Sequence, residues 1–434
     1  MIKILDAGRI SLSEILARTE DKRDISGIVA GIMDDVRQNG DAALLRYAKE
    51  FDKAELDALE VPQSQLDQAL AELAPDLRAV LEEAAENIRT FHRRQVQNGF
   101  IINEKPGVVL GQRVTPIEKV GVYIPGGTAP LPSTVLMDCI PAKIAGCRSI
   151  VMVSPPTCGG NINPAILAAA KIAGVDRVFR CGGAQAIAAL AYGTETIPQV
   201  DKIVGPGNAF VAEAKRQVFG KVGIDMIAGP SDILVIADAA GDPRYVAADL
   251  LSQAEHDRNA CAVLITDSPI LAQAVARETE AQLASLPRKE IAQASLENNG
   301  KIILTGDIPE AIRIANALAP EHLELCVDNP FDYLDQVKNA GSIFLGRSTP
   351  EAVGDYFAGA NHTLPTYGTA RFSNPLSVED FVKKSQFIYY SGDALSAVSG
   401  KIAAFARQEG LEGHARSALA RSWADGQPRS FLRS

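Results

Sequence analysis

Residues 119–154 read KVGVYIPGGTAPLPSTVLMDCIPAKIAGCRSIVMVS. This stretch begins with an apolar run, Lys119–Ile124, and turns at Pro125–Gly127 into a segment of helical character, Ser133–Ala145. A second apolar run, Ser149–Ser154, follows. Two short apolar runs separated by a helix predict a β-α-β unit with parallel strands.

The same alternation continues on the C-terminal side of this unit. Strands separated by helices of about 10–15 residues indicate a parallel, doubly wound sheet. Two further segments, Asp225–Pro230 and Ile233–Ala237, are expected to close this first block. The intervening elements are predicted as a helix at Asn163–Ala173, a strand at Arg177–Arg180, a helix at Ala184–Ala191, a strand at Lys202–Val204 and a helix at Asn208–Val218.

A second alternating block and two helical ends complete the chain. We expect the N-terminal region to help complete the sheet of this second block. The C-terminal segment, Leu395–Arg421, is helical and too small for an independent fold, so we expect it to pack on another domain or subunit. Strands of the second block are predicted at Ala262–Thr266, Lys301–Leu304 and Ser342–Leu345, and N-terminal helices at Ile25–Asn39, Gln65–Leu73 and Pro75–Arg94.

The composition argues against several classes of protein. The chain has 434 residues and a net charge of -10, which disfavours an extended nucleic-acid surface. Its first residues, Met1–Asp6, lack the apolar core of a secretory signal, and no apolar run approaches the ~20 residues of a membrane span. The six cysteines form no C-x-x-C pair, so we expect buried thiols. A cytoplasmic enzyme that acts on small molecules is predicted.

Three glycine-rich turns follow predicted strands and precede predicted helices. They are Pro125–Gly127, Gly182–Gln185 and Gly205–Asn208. Glycine lets a backbone approach a ligand closely, and a helix N-terminus presents free N–H groups to an anion. None of the turns has the full G-x-G-x-x-G pattern, so each taken alone also fits a tight β-α turn. Together the three turns favour an unusual nucleotide-binding cleft.

Histidine is rare in this chain and lies mostly beside acids or amides. Gln253 and His256 are three residues apart near the end of a predicted helix, so both side chains can reach a single ion. Asp355 and His414 offer a carboxylate and a second imidazole. Two nitrogen and two oxygen donors suit zinc. Each histidine taken singly also fits an ordinary surface or core position.

A second pair of polar residues, Glu321 and His322, follows Ala319-Pro320. A turn at this point would aim both side chains into one pocket. A glutamate with a raised pKa beside a histidine is a usable acid-base pair. A capping glutamate next to an exposed histidine is the competing interpretation.

Nine short motifs occur in order along nearly the whole chain, from about residue 20 to 420. They are GVYIPGGTAP (121–130), GGAQAIAAL (182–190), GPGNAFV (205–211), AGPS (228–231), LSQAEH (251–256), APEHLE (319–324), GDY (354–356), NHTLPT (361–366) and EGLEGH (409–414). No single motif is decisive. As an ordered set they resemble the histidinol dehydrogenase family.

The resemblance implies an α/β protein with two incomplete Rossmann-like, doubly wound domains and small N- and C-terminal appendages. The expected divisions are an N-terminal appendage at 1–19, a discontinuous zinc- and substrate-binding domain at 20–122 and 235–376, an NAD-binding domain at 123–234, and a C-terminal dimerisation segment at 377–434.

The resemblance also implies an activity and its cofactors. The reaction is the oxidation of L-histidinol, through bound L-histidinal, to L-histidine with two NAD+, the last step of histidine biosynthesis. One zinc ion per subunit anchors the substrate, and Glu321 and His322 serve as the acid-base pair. The implied zinc ligands are Gln253, His256, Asp355 and His414; the implied NAD contacts are Tyr123, Gln185 and Asn208; the implied substrate contacts are Ser231, His322, His362 and Glu409, together with the zinc ligands.

The family is homodimeric, which implies that Glu409 and His414 are supplied to the partner's active site. No nucleic-acid or membrane partner is expected. Three positions depart from the usual family pattern: Ile227, Asp232 and Ala360. They flank functional residues without replacing any, so they bear on local backbone geometry rather than on the chemistry.

Two other functions fit part of the pattern. A related zinc- and NAD-dependent dehydrogenase of another alcohol would be expected to change the substrate-side residues Ser231, His362 and Glu409, all of which are present. A zinc hydrolase with Glu321 as its base would leave the three glycine turns and Tyr123 without a role.

Overall fold

A computed structural model describes residues 2–19, 24–126 and 130–421, and the backbone of 423–424 and 427–428. The chain forms two compact units. The larger comprises Met1–Val96 and Ile117–Phe381, and the smaller comprises Gln97–Pro116 and Val382–Ser434. Among the described helices, none has the length and apolar character needed to cross a membrane. Gly127 and Thr128, in the first glycine turn, lie outside the described residues.

Many helices of the larger unit begin with a proline, whose missing N–H costs nothing in the first turn. The α-helices of the described residues are α1 (Leu12–Leu16), α2 (Ser26–Tyr47), α3 (Gln63–Glu72), α4 (Pro75–His92), α5 (Pro132–Ala145), α6 (Pro164–Ala173), α7 (Gly183–Tyr192), α8 (Ala209–Val218), α9 (Pro243–Ala254), α10 (Pro269–Leu283), α11 (Lys289–Asn298), α12 (Ile308–Leu318), α13 (Glu351–Tyr356), α14 (Gly392–Gln408) and α15 (Glu412–Leu419).

Most strands of the larger unit are built mainly of buried apolar residues, with polar residues chiefly at their ends, as expected for sheets covered on both faces. The strands of the described residues are β1 (Lys3–Asp6), β2 (Glu60–Val61), β3 (Phe100–Ile102), β4 (Val108–Pro116), β5 (Lys119–Tyr123), β6 (Ser149–Ser154), β7 (Arg177–Arg180), β8 (Lys202–Val204), β9 (Gly223–Ile224), β10 (Asp232–Ala237), β11 (Cys261–Thr266), β12 (Lys301–Leu304), β13 (His322–Cys326), β14 (Ser342–Leu345), β15 (Val382–Tyr390), β16 (Trp423–Ala424) and β17 (Gln427–Pro428).

The first sheet has the order β2-β7-β6-β5-β8-β9. Its strands are parallel except β2, which runs antiparallel to β7. Helices α3 to α6 cover one face, and α2, α7 and α8 cover the other. The order reverses between β5 and β8, so a crevice is expected at the carboxyl ends of these two strands.

The second sheet has the order β1-β12-β11-β10-β13-β14, and all its strands are parallel. Alternate residues of β10 pack on opposite faces: Val235 packs among α9 to α11, and Leu234 packs towards α12. Both sheets are therefore doubly wound, which confirms the predicted α/β class.

Three segments pack differently from the predicted domain division. Strand β10 pairs with β11 and β13 at the centre of the second sheet, so the prediction that Ile233–Ala237 closes the first block is wrong. Strand β1 pairs with β12, which confirms that the N-terminal region helps to complete the second sheet, so residues 3–6 are not part of an appendage. Helices α2 to α4, expected with the second sheet, cover the first. Local apolar patterns identify these elements but carry no information on their distant pairing.

The smaller unit was predicted as one helical end. It contains a three-stranded antiparallel sheet, β15-β4-β3, and two packed helices, α14 and α15. The helical segment is divided at Gly410, whose φ of 76° is left-handed and ends a helix readily. The antiparallel sheet was missed because β4 and β15 are more than 260 positions apart.

Candidate active site

The amino ends of β10 and β13 lie side by side and carry Asp232 and His322. The chain enters β13 through Ala319, whose left-handed φ of 49° supplies the predicted turn. His322 already belongs to the strand, and Glu321 immediately precedes it. Glu321 and His322 are both buried, so the interpretation as a capping glutamate and an exposed histidine is wrong.

Glu321 and Asp232 hold each other through two hydrogen bonds. The Asp232 N–H donates to Glu321 Oε2 at 3.0 Å, and the Glu321 N–H donates to Asp232 Oδ1 at 2.8 Å. Burial, and then the nearby charge of Asp232, raise the pKa of Glu321 well above its ordinary value. A carboxyl group so placed binds protons strongly and is fixed in orientation.

His322 is positioned as a base. Its Nδ1 lies 3.0 Å from the Asp232 carbonyl oxygen, and because a carbonyl only accepts, this contact assigns the hydrogen to Nδ1. The opposite nitrogen, Nε2, is buried without a hydrogen-bond partner. Burial also lowers the pKa of His322, so the ring is neutral near pH 7. A neutral ring with a free Nε2 can accept a proton from a bound molecule.

Two carboxylates of α13 face His322. Glu351 Oε1 lies 3.8 Å from His322 Nε2, and Glu351 hydrogen-bonds to Asp355 one helical turn away. Donor atoms of these three residues all lie within 4.8 Å of one another, the one His/Cys/Asp/Glu group in the described residues that is arranged to hold a metal ion. Burial raises the pKa of Glu351 to about 7 and that of Asp355 to about 6.

Glu351 was missed in the sequence. Its spacing of four residues from Asp355, E-x-x-x-D, was the available signal, because residues at that spacing share a face if the segment is helical.

Gln253 and His256 lie at and just beyond the end of α9. Gln253 is 1% exposed, and its Oε1 has no hydrogen-bond partner. His256 is exposed, and its charge contributes to lowering the pKa of both His322 and His362, which places it close to them. The helix ends at Ala254, and the His256 N–H donates to the Gln253 carbonyl oxygen at 3.2 Å, so the chain turns between the two residues instead of continuing one helical face. A buried, unpaired amide oxygen is costly unless a ligand satisfies it.

His362 connects the second sheet's site to the first sheet. Its Nδ1 lies 3.1 Å from the Asp355 carbonyl oxygen, and its Nε2 lies 3.2 Å from Thr134 Oγ1 in the first turn of α5. The neighbouring residues of the segment 361–366 also bind α5: Asn361 Nδ2 donates to the Met137 carbonyl oxygen at 2.7 Å. Burial lowers the pKa of His362 to about 4.

One carboxyl group of α5 faces the same segment. Thr363 Oγ1 donates to Asp138 Oδ1 at 2.7 Å, and Asp138 is fully buried. Burial raises the pKa of Asp138 to about 8. The group is therefore protonated at neutral pH. Ser231, a further predicted substrate contact, is half-buried and directly precedes β10.

The predicted NAD contacts lie around the carboxyl end of the first sheet. Tyr123 ends β5 and is buried, and its hydroxyl accepts a hydrogen bond from the Gly183 N–H at 3.2 Å. Gln185 is buried in the first turn of α7, and a Cβ on Gly183 would meet its Oε1 at 2.6 Å. Asn208 caps α8 by accepting from the Phe210 and Val211 N–H groups.

The third glycine turn is held by a buried ion pair. The Gly205 N–H donates to Asp225 Oδ2 at 2.8 Å, and Lys215 Nζ donates to the Gly205 carbonyl oxygen at 2.9 Å. Lys215 and Asp225 also pair with each other, and both side chains are buried. Gly205 has a φ of 115°, and a Cβ there would lie 2.1 Å from the Tyr123 carbonyl oxygen, so only glycine fits.

The remaining two predicted site residues belong to the smaller unit. Glu409 follows α14 and His414 lies in α15, and both are exposed.

Two doubly wound, mainly parallel sheets, one with glycine turns at its crevice and one with a buried acid-base pair, are the architecture expected of an NAD-dependent oxidoreductase. Residues 16–422 match the family described as histidinol dehydrogenase. The chain is 53% identical to the histidinol dehydrogenase of Geobacter metallireducens over 97% of each chain, and 53% identical to that of Clostridium acetobutylicum over 92% of each. The chain belongs to the histidinol dehydrogenase family.

A solved structure gives the same result for the fold. The crystal structure of histidinol dehydrogenase from Elizabethkingia anophelis superposes with a TM-score of 0.92 at 40% identity, and the match covers 97% of this chain and 98% of that one.

Proposed function

We propose that this enzyme oxidises L-histidinol, through bound L-histidinal, to L-histidine, with two NAD+ and one water consumed and two NADH formed. One observation carries the proposal: a buried neutral imidazole with an unpaired Nε2, His322, lies beside a buried carboxyl group, Glu321, and close to the carboxyl groups of Glu351 and Asp355. Such a pair can move the protons that accompany two successive hydride transfers.

The protein groups divide the proton transfers between them. His322 Nε2 takes the hydroxyl proton as hydride leaves the carbinol carbon for the first NAD+. Glu321, in its carboxylate form, then takes a proton from the water that attacks the aldehyde, and its raised pKa makes it a stronger base for that step. His322, once it has released its first proton to solvent, deprotonates the resulting diol for the second hydride transfer.

Gln253, His256 and Asp355, with His414 of a second copy of the chain, are proposed to hold one zinc ion per subunit. The unpaired, buried Oε1 of Gln253 and the donor group around Asp355 fit such an ion. When bound, zinc would hold the imidazole and amino nitrogens of the substrate. His322 also belongs to that donor group, but its free Nε2 is the proton acceptor, so we assign it to proton transfer. Ser231 and His362 would contact the substrate.

NAD+ is proposed to bind at the carboxyl ends of β5, β7 and β8, in contact with Tyr123, Gln185 and Asn208. The N-termini of α7 and α8 point to this crevice, and free N–H groups there favour a pyrophosphate.

A cytoplasmic homodimer is proposed, in which Glu409 and His414 complete the site of the partner. The smaller unit supports an interface because large apolar side chains are exposed on it: Ile101 is 68% exposed, Ile388 71% and Phe405 70%. An active monomer would contradict this arrangement.

The central test measures NADH formed per molecule of L-histidinol, before and after removal of metal by a chelator. We expect two NADH per substrate, loss of turnover on chelation, and recovery on addition of zinc. A yield of one NADH would indicate oxidation to the aldehyde only and would contradict the proposed reaction. Turnover that survives complete removal of metal would contradict the zinc site.

The division of labour has a separate test. Glu321→Gln is expected to slow oxidation of L-histidinal by roughly 10²–10⁴-fold, because the water has lost its base, and to slow L-histidinol oxidation to the aldehyde much less. Single-turnover rates with each compound measure the two steps. Equal losses in both steps would show that Glu321 does not act specifically on water.

A further inference from the structure

Arg18 lies on the N-terminal segment that follows α1 and pairs with Asp232. Asp232 in turn binds Glu321 and His322, the two residues of the catalytic pair. Arg18 Nη1 lies 2.8 Å from Asp232 Oδ2, and the Arg18 side chain is only 13% exposed. The guanidinium carbon lies 5.4 Å from the centre of the Tyr367 ring, within range of a cation–π contact. The ion pair joins residues 214 positions apart.

Asp232 is bonded to both groups that the proposed proton transfers use, Glu321 and His322, and also to Arg18. Oδ2 receives Arg18, and Oδ1 accepts the Glu321 N–H at 2.8 Å. The Asp232 N–H donates to Glu321 Oε2, and its carbonyl oxygen binds His322 Nδ1. The Asp232 side chain therefore holds the Glu321 N–H, and the Asp232 backbone holds the Glu321 carboxyl group and the His322 ring. Arg18 is the cation that fixes the orientation of the Asp232 side chain.

The charge balance points the same way. The carboxyl groups of Asp232, Asp355 and Glu351 lie close enough to Glu321 for their negative charges to repel a charge on it. Arg18 pairs with Asp232, the one among them that hydrogen-bonds Glu321 directly. Without Arg18, a buried Asp232 carboxylate would lie beside Glu321 with no paired cation, an unfavourable arrangement that reorientation of Asp232 would relieve.

Anchoring of the N-terminal segment does not require Arg18. Lys301 Nζ donates to the Ile15 carbonyl oxygen at 2.8 Å, and the Thr19 N–H donates to Asn299 Oδ1 at 2.8 Å. The first contact attaches the segment to β12 of the second sheet, and the second attaches it to the turn between α11 and β12, on either side of Arg18. The N-terminal segment is therefore attached by contacts that do not involve the Arg18 side chain, and the ion pair between Arg18 and Asp232 is additional to them.

We propose that Arg18 is a positioning residue for the catalytic pair: by pairing with Asp232, it holds Glu321 and His322 in their reactive arrangement. This inference rests on the proposed function, because it assigns catalytic roles to Glu321 and His322. It gives the N-terminal segment a part in the chemistry although that segment contributes no group that touches the substrate.

The test compares three variants in the full-length protein. Arg18→Met removes the cation, Arg18→Lys restores a charge without the forked geometry, and Lys301→Met loosens the same segment without touching Asp232. We expect Arg18→Met to lower kcat by on the order of 10–100-fold, with the KM values for L-histidinol and NAD+ changed less than about twofold. Arg18→Lys should recover part of the loss, and Lys301→Met should keep the wild-type kcat.

Wild-type kcat in Arg18→Met, or an equal loss in Lys301→Met, would overturn the inference while leaving the proposed function intact. If the wild-type protein forms no NADH from L-histidinol, the proposed function fails by itself. Hydrogen exchange of the Asp232 and Glu321 amides then decides the positioning role. Faster exchange in Arg18→Met but not in Lys301→Met supports it, and unchanged exchange overturns it.

Discussion

The two sheets of the larger unit carry their functional groups at opposite ends of their strands. In the first sheet, the glycine turns lie at the carboxyl ends of β5, β7 and β8, as the rule for doubly wound sheets requires. In the second, the catalytic pair of Glu321 and His322 lies at the amino end of β13, beside Asp232 at the amino end of β10.

The difference follows from what dinucleotide binding and proton transfer each require. A dinucleotide binds to backbone N–H groups, and free helix N-termini occur where a parallel strand ends and its helix begins. Proton transfer instead needs buried side chains with fixed partners. The amino ends of β10 and β13 supply them, because two adjacent parallel strands start there and can exchange hydrogen bonds between Asp232 and Glu321.

The strongest test of this separation is His322→Asn. Loss of the proton acceptor is expected to lower kcat by roughly 10²–10⁴-fold. The Kd for NAD+ should stay at the wild-type value, because the cofactor edge, formed by the carboxyl ends of β5, β7 and β8, belongs to the other sheet. Stopped-flow NADH formation and equilibrium titration measure the two quantities. A large change in NAD+ affinity would show that the cofactor edge and the catalytic edge, formed by the amino ends of β10 and β13, are not independent.

The cofactor edge is tested through the buried ion pair beneath Gly205. Lys215→Met leaves the Asp225 carboxylate buried without its cation and is expected to reduce the free energy of unfolding by about 3–5 kcal/mol. The double variant Lys215→Met/Asp225→Leu should recover most of this stability, since both charges are gone. Denaturant titration measures the change.

Although its stability is restored, the same double variant should bind NAD+ more weakly than the wild type, because the Gly205 N–H and carbonyl oxygen have lost their partners. Its affinity for L-histidinol should be unchanged, and this measurement serves as the control for the catalytic edge. Wild-type NAD+ affinity in the double variant would show that the pair contributes stability alone.

A pH-dependent effect is expected at Asp138, where α5 meets the substrate-side segment 361–366. Its pKa is raised from 3.8 to about 8, so between these values the folded protein keeps a proton that the unfolded chain has lost. Stability should therefore fall as pH rises from about 5 to 8, by up to about 1.4 kcal/mol per pH unit from this group.

Asp138→Asn should remove this dependence, because an amide does not ionise and its oxygen can still accept from Thr363. The variant should be more stable than wild type at pH 8, and the difference should shrink towards pH 4. Thermal unfolding across this pH range measures both proteins, and parallel pH profiles would contradict the assignment.

The cofactor edge could be predicted more fully from the sequence than the catalytic edge. Each glycine turn is a local pattern, in which a strand, a glycine and a helix start lie within a few residues. The catalytic edge depends on pairings between distant segments. Asp232 was recognised only as a departure from the family pattern, and its partners Arg18 and Glu321 lie far from it in the chain.

The central position of β10 was missed for the same reason. Its apolar pattern would suit either sheet, and only the ladder with β11 and β13 decides. Glu351 had a visible local signal, its spacing from Asp355, but nothing in the spacing shows that His322 faces it.

The segment 361–366 limits how far this enzyme can be treated as two modules. It follows the second sheet in the chain, yet Asn361, His362 and Thr363 are bonded to α5 of the first. A designer who transplanted the second sheet into a new scaffold would carry over the catalytic pair and lose the support of His362. Recombination between relatives faces the same constraint: α5 and the segment 361–366 must be inherited together, although more than 200 residues of sequence separate them.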